Sequence, residues 1–170
     1  RWCRKKVRCN DKYFKEINGN INLRTDINFD ITKKFKIKNL SYSTEGLIKN
    51  IYFKTPPKKI FKKYLPSYSS EMRLVDTKIN FKKVQNNKNH ELKLKGDLCF
   101  IDKNCRNLDI SNIYYSNDKK NNIFGKVNLT NDEVIITSLN YKKDKNEDAF
   151  LDFDIDFVID NYYFIKKLHF

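Results

Sequence analysis

The residues of this 170-residue chain that could do chemistry are few: four cysteines, two histidines and a row of aspartates near the end. The cysteines fall as two pairs of equal spacing, Cys3/Cys9 and Cys99/Cys105. Five residues separate each pair, whereas structural zinc sites place two to four between paired ligands, so no metal site is expected. What remains is a disulfide in an oxidising compartment or free thiols in a reducing one. Cys99–Cys105 is the favoured bridge, because the turn Asp102-Lys-Asn-Cys-Arg106 can bring its ends together. His90, in a polar turn, and His169 have no Cys or Asp motif around them, so neither is read as catalytic or metal-binding. Asp152, Asp154, Asp156 and Asp160 alternate along a strand pattern. Such spacing lays carboxylates out on a line rather than around a calcium ion, and they are expected to pair with lysines of neighbouring strands. The chain has no glycine-rich phosphate loop, nucleophile elbow or paired-histidine helix. No catalytic residue, metal or cofactor is assigned, and the chain is not expected to be an enzyme.

The net charge of +14 invites a nucleic-acid reading. Only six of the 35 basic residues are arginine, and the lysines accompany many Asn, Ile, Phe and Tyr. These types share A/T-rich codons, so genome composition accounts for much of the charge, and lysine is also a common device for keeping strand edges soluble. A nucleic-acid module is therefore a weaker functional alternative. The chain opens at Arg1 and its only methionine is Met72, which leads to the expectation of a fragment from a longer protein.

Positioning falls to strands. The segment Gly125–Tyr141 reads as a glycine, a short strand ending at Leu129, a Thr-Asn-Asp-Glu turn, and a closing phrase Ile136-Thr-Ser-Leu-Asn-Tyr141. Similar phrases occur at Ile37–Tyr42 and Ile110–Tyr115, each preceded by a glycine-led strand at Gly19 and Gly96. Repetition at this scale signals a β-repeat architecture. Ile21, Leu23, Ile27, Phe29 and Ile31 alternate with Asn22, Arg24, Asp26, Asn28 and Asp30, the period-two mark of a strand with one dry and one wet face. The pattern slips by one residue at Leu40 and Tyr42, which predicts a bulge. Val75, Thr77, Ile79 and Phe81 alternate, as do Leu92, Leu94, Leu98 and Phe100. In the last clear strand Leu151, Phe153, Ile155, Phe157 and Ile159 alternate with the aspartates. Pro57 to Pro66 bounds one short helix, near 57–65, with Ile60, Phe61, Tyr64 and Leu65 on one side. Lys142–Asp148 reads as a charged loop.

The expected fold class is all-β, mainly antiparallel: nine or ten strands in a repetitive meander, with that one helix. Residues 1–16 are read as the end of a preceding element, and 17–170 as one β-repeat domain. The dry face is rich in Ile, Leu and Phe, and one short helix cannot cover it. It must be hidden by a second sheet, a closed interior or a ligand.

The phrase GKVNLTNDEVIITSLNY, a polar loop and LDFDIDFVID together resemble the repeats of the AsmA-like superfamily, the TamB- and YhdP-type bacterial envelope proteins. The resemblance spans 17–170, most closely 92–160. It implies a long sheet curved into a U-shaped groove that is dry inside and conducts phospholipid between the inner and outer membranes. It also implies a periplasmic, envelope location with anchoring outside this segment. Independently of the family, burying one methylene gains about 0.8 kcal/mol, so such a face can compete for an acyl chain. The candidate groove-lining residues are Ile21, Leu23, Ile27, Phe29, Leu92, Leu94, Leu98, Phe100, Leu151, Phe153, Ile155 and Phe157. The main alternative is a structural or adhesive β-sandwich with no ligand.

Overall fold

The structure is a computed structural model that describes residues 16–56, 59–83, 89–100, 105–116, 119–158 and 162–169. Cys3, Cys9, Pro57, the stretch 84–88, Asp102, Ile159, Asp160 and Phe170 lie outside the described residues, as do the side chains of Ile60 and Phe61.

Alternating apolar and polar residues produce long strands, and short connections between them make successive strands pair. The strands are β1 (Glu16–Ile31), β2 (Ile37–Lys54), β3 (Glu71–Lys83), β4 (Asn89–Phe100), β5 (Cys105–Tyr115), β6 (Lys120–Asn128), β7 (Val134–Ile136), β8 (Tyr141–Lys143), β9 (Phe150–Val158) and β10 (Tyr162–His169). Among the described residues one α-helix forms, α1, covering Lys59–Tyr64. Eight strands form one antiparallel sheet in the order β1-β2-β3-β4-β5-β6-β9-β10, and β7-β8 is a separate hairpin. The fold is thus an all-β, antiparallel meander with one short helix. Among the described residues no strand pairs the outer edge of β1 or of β10. No described helix is long and apolar enough to cross a membrane.

Register carries the dry face across the whole sheet. Ile155 faces Ile123, and the same row continues through Asn112, Leu92, Phe81, Thr44 and Thr25. The adjacent row runs Phe153, Gly125, Ile110, Leu94, Ile79, Gly46 and Leu23. Two glycines in that row are required by close backbone approach. A Cβ on Gly46 would lie 2.1 Å from the Asn22 carbonyl oxygen, and one on Gly125 would lie 2.3 Å from that of Asp109.

Bulges keep this face continuous despite slips in the pattern. The slip expected near Leu40 is a register shift, in which Asn28 pairs Ser41 and Asp30 pairs Lys38, with Asn39 at φ 53°. A second shift in β3, at Asp76 (φ 43°), corrects the reading of Val75. Val75 pairs Asn50 and Asp97 on the polar side rather than sharing a face with Thr77. The bulge inserts a residue and so reverses the parity of everything before it.

The third copy of the repeat does not form as expected. Leu129–Asp132 does turn the chain, with the Asp132 N–H donating to the Leu129 carbonyl (2.9 Å) and the Thr130 N–H to Asn128 Oδ1 (2.8 Å). Ile136–Tyr141, however, is not a strand of the sheet. Thr137–Leu139 makes a 3-10 turn, and Asn140 in the left-handed conformation (φ 48°) reverses the chain so that β7 pairs β8. The neighbour of β6 in the sheet is β9 instead.

Candidate functional site: an open apolar face with one capped end

Each of the twelve residues named from the sequence as lining a groove falls at a dry-face position of the sheet, as the pairings above require. They are not gathered into one enclosed interior. Phe100 is buried, Leu92, Leu94, Leu98, Leu151, Phe153, Ile155 and Phe157 are half-buried, and Ile21, Leu23, Ile27 and Phe29 are exposed. Leu23 is 51% exposed and Ile27 58%. No second sheet of comparable size lies over them among the described residues, because β7 and β8 are three residues each.

Only one end of the face is covered. The two longest connections, residues 55–70 and 129–149, leave the sheet at the same end of the strands and meet each other. Helix α1 packs on β7, and Ser67 Oγ donates to Asp132 Oδ1 at 2.5 Å. Beneath this cap lie Phe100, Leu108, Leu129 and Val134, all buried, and the ring of Tyr68 meets Phe100 edge-on at 5.6 Å. The cap is held by charge. Arg106 and Asp132 form a two-point ion pair with both side chains almost fully buried, and Arg106 also donates to Ser67 Oγ at 3.0 Å. The guanidinium lies 3.9 Å over the Phe100 ring. A bidentate, hydrogen-bonded pair of this kind satisfies both buried charges.

Lys143 adds a third buried charge to the cap. Its Nζ donates to the carbonyl oxygens of Thr130 (3.1 Å), Asp132 (2.9 Å) and Asp144 (2.7 Å), tying the turn that carries Asp132 to β8. The sequence reading missed all three. Lys143 sat in what looked like a charged loop, and Asp132 in a polar turn. Arg106 did leave a signal: it is in phase with Leu108 and Ile110, and a charge at a dry position must be either covered or paired.

The uncapped end of the face carries an aromatic cluster. His90, expected in a turn, lies in β4 and stacks on Phe81 at 6.2 Å, with Tyr42 and Tyr114 beside it. Its Nδ1 is 2.7 Å from the Tyr42 hydroxyl. Burial, with the nearby charge of Lys83, holds the His90 pKa below its ordinary value, and burial raises that of Tyr42. The face also has a polar break, where Asn112 Nδ2 donates to Asn121 Oδ1 at 3.4 Å and Asn112 Oδ1 is buried without a partner.

Cys99 and Cys105 are joined in a disulfide, their Cα atoms 3.9 Å apart. They pair directly across β4 and β5, which closes the hairpin beside the cap.

The opposite face is a lattice of ion pairs. Asp152 pairs Lys167, while Asp156 bonds Lys120 (2.6 Å), Lys166 (2.9 Å) and Asn122 (2.9 Å). Glu91 lies between Lys82 and Lys93, and Glu71 pairs Lys54. Hydrogen bonds from Lys167, Lys82 and Lys54 hold Asp152, Glu91 and Glu71 below the usual carboxylate range. Burial alone would raise Asp156, but its lysine and asparagine donors outweigh that and hold it low as well. A concavity of about 580 Å³ opens on this face by Arg24, Glu45, Lys78, Asn80, Lys93 and Lys95. Several of its charges already have partners, including Lys95 with Asp109 (3.0 Å) and Lys93 with Glu91 (3.1 Å). Among the described residues no group of three or more His, Cys, Asp or Glu side chains is placed to hold a metal ion. No protein-family profile, curated protein or solved structure matches this chain.

Proposed function

We propose that the dry face binds lipid acyl chains, and that the chain is part of an envelope protein that passes phospholipid between membranes, in the manner of the AsmA-like proteins its repeats resemble. The observation that carries this reading is the largely apolar face that extends over eight strands and is left open beyond the cap. Exposed apolar surface on that scale marks an interaction site. Each buried methylene of a lipid tail would gain about 0.8 kcal/mol against it. The disulfide is compatible with an oxidising compartment such as the periplasm. The wet face, laced with ion pairs, would remain in water.

Photo-crosslinking from single positions tests the reading. A crosslinking amino acid at Phe153, Ile155 or Phe157 should give lipid adducts in cells, and one at Asp154 or Asp156 should give few. Neighbours on a strand differ by a face and little else, which makes them internal controls. Adducts only to protein at the three apolar positions would replace lipid passage with the structural reading, in which another sheet covers the face.

A further inference from the structure

The two outer strands of the described sheet differ in a way that names a partner for one of them. Exposed strand edges are ordinarily guarded by lysine, proline, short length or bulges. Strand β10 has Lys166 and Lys167 and a register shift within eight residues. Strand β1 has none of these. It runs sixteen residues, EINGNINLRTDINFDI, without a lysine or proline, in a chain where 35 residues are Lys or Arg. Both register shifts against β2 insert the extra residue in β2, so β1 itself is regular. Its residues are exposed throughout, and among the described residues nothing pairs its outer backbone.

We infer that the outer edge of β1 pairs antiparallel with β1 of a second copy of this chain, about a two-fold axis at Thr25. The strand is self-complementary in that register. Within one copy Arg24 lies 3.6 Å from Asp26; in this register Arg24 also faces Asp26 of the second copy and Asp26 faces its Arg24, so the four charges alternate across the seam. On the dry side Leu23 meets Ile27 and Ile21 meets Phe29, while on the wet side Asn22 meets Asn28 and Asn20 meets Asp30. Dry residues meet only dry ones, and the apolar face runs unbroken from one copy into the other. Sliding the copies by one side-chain repeat opposes Arg24 with Arg24 or Asp26 with Asp26. An odd slip would set wet residues against dry ones. Cross-strand pairs and outward backbone groups are what strand addition uses. The inference does not rest on the lipid reading, since it concerns an edge rather than the face.

Analytical ultracentrifugation across a concentration series should show a reversible dimer. Arg24→Asp sets carboxylates against Asp26 twice and should weaken association about tenfold or more, with circular dichroism unchanged. Combining it with Asp26→Arg restores the opposed charges and should restore the dimer. The double variant keeps any penalty that residue 24 suffers against Glu45 of its own β2, but it also restores the Arg24–Asp26 pair within one copy (3.6 Å), so the contact between copies is isolated by the crosslink at position 25. In a Cys3→Ser/Cys9→Ser background, Thr25→Cys should form a disulfide-linked dimer on oxidation and Leu23→Cys should not. A monomer at every concentration overturns the inference. So does a dimer indifferent to the charge reversals, or a monomer whose β1 amides are all protected from hydrogen exchange, which would give the edge to another segment.

Discussion

Leu108 and Leu23 occupy the same face of the same sheet and arise from the same alternating pattern, yet one is 3% exposed and the other 51%. Leu108 lies at the capped end, where Phe100, Leu129 and Val134 are buried as well. Leu23 lies on the open wing, where among the described residues β1 has a neighbour on one side only. The difference teaches that alternation selects a face but says nothing about its cover. Cover came from two insertions that leave the repeat, and they are anchored by buried charge rather than by more apolar residues. The fold therefore has one region stabilised by a conventional buried core and another whose apolar surface is exposed.

The largest expected effect breaks the cap. Asp132→Ala would leave the Arg106 guanidinium buried without its carboxylate, which should cost about 3–5 kcal/mol in urea denaturation. If the cap is an independent ornament, the loss will instead be small, and the sheet will unfold as before. Truncation at the two leucines sharpens the same contrast. Leu108→Ala should cost about 2–5 kcal/mol, because it empties a packed site. Leu23→Ala should cost less than about 1 kcal/mol, because most of that side chain is already in water. Equal losses at the two positions would mean that something covers the wing in solution.

The smallest effect is a pH dependence that separates the two faces. Burial and the charge of Lys83 lower the His90 pKa in the folded chain, so the unfolded chain takes up its proton first as pH falls through about 6.5. Stability should therefore decline gently below that pH, and His90→Phe should remove this decline. Glu71, Glu91, Asp152 and Asp156 have lowered folded pKa values, so their contribution is complete above about pH 5 and lost as pH falls through the folded values. Their acid transition should persist in the His90 variant. A single transition unaffected by that substitution would remove the aromatic cluster from the account.

Local pattern was enough for the strands, their dry and wet sides except at Val75, the bulge near Leu40, the short helix and the antiparallel class, because period-two alternation and short connections act on neighbouring residues. The pairing of the Asp152–Asp156 row with lysines was legible for the same reason: facing strands bring alternate residues together. Tertiary structure alone decided what depends on distant segments meeting. Ile136–Tyr141 looked like its two counterparts, yet Asn140 turns it into the cap. Asp132, in a polar turn, becomes buried only because residues 55–70 arrive beside it and Arg106 projects from a dry position in β5. A buried charge is stable only with its partner in place, and no local window of sequence contains both Arg106 and Asp132.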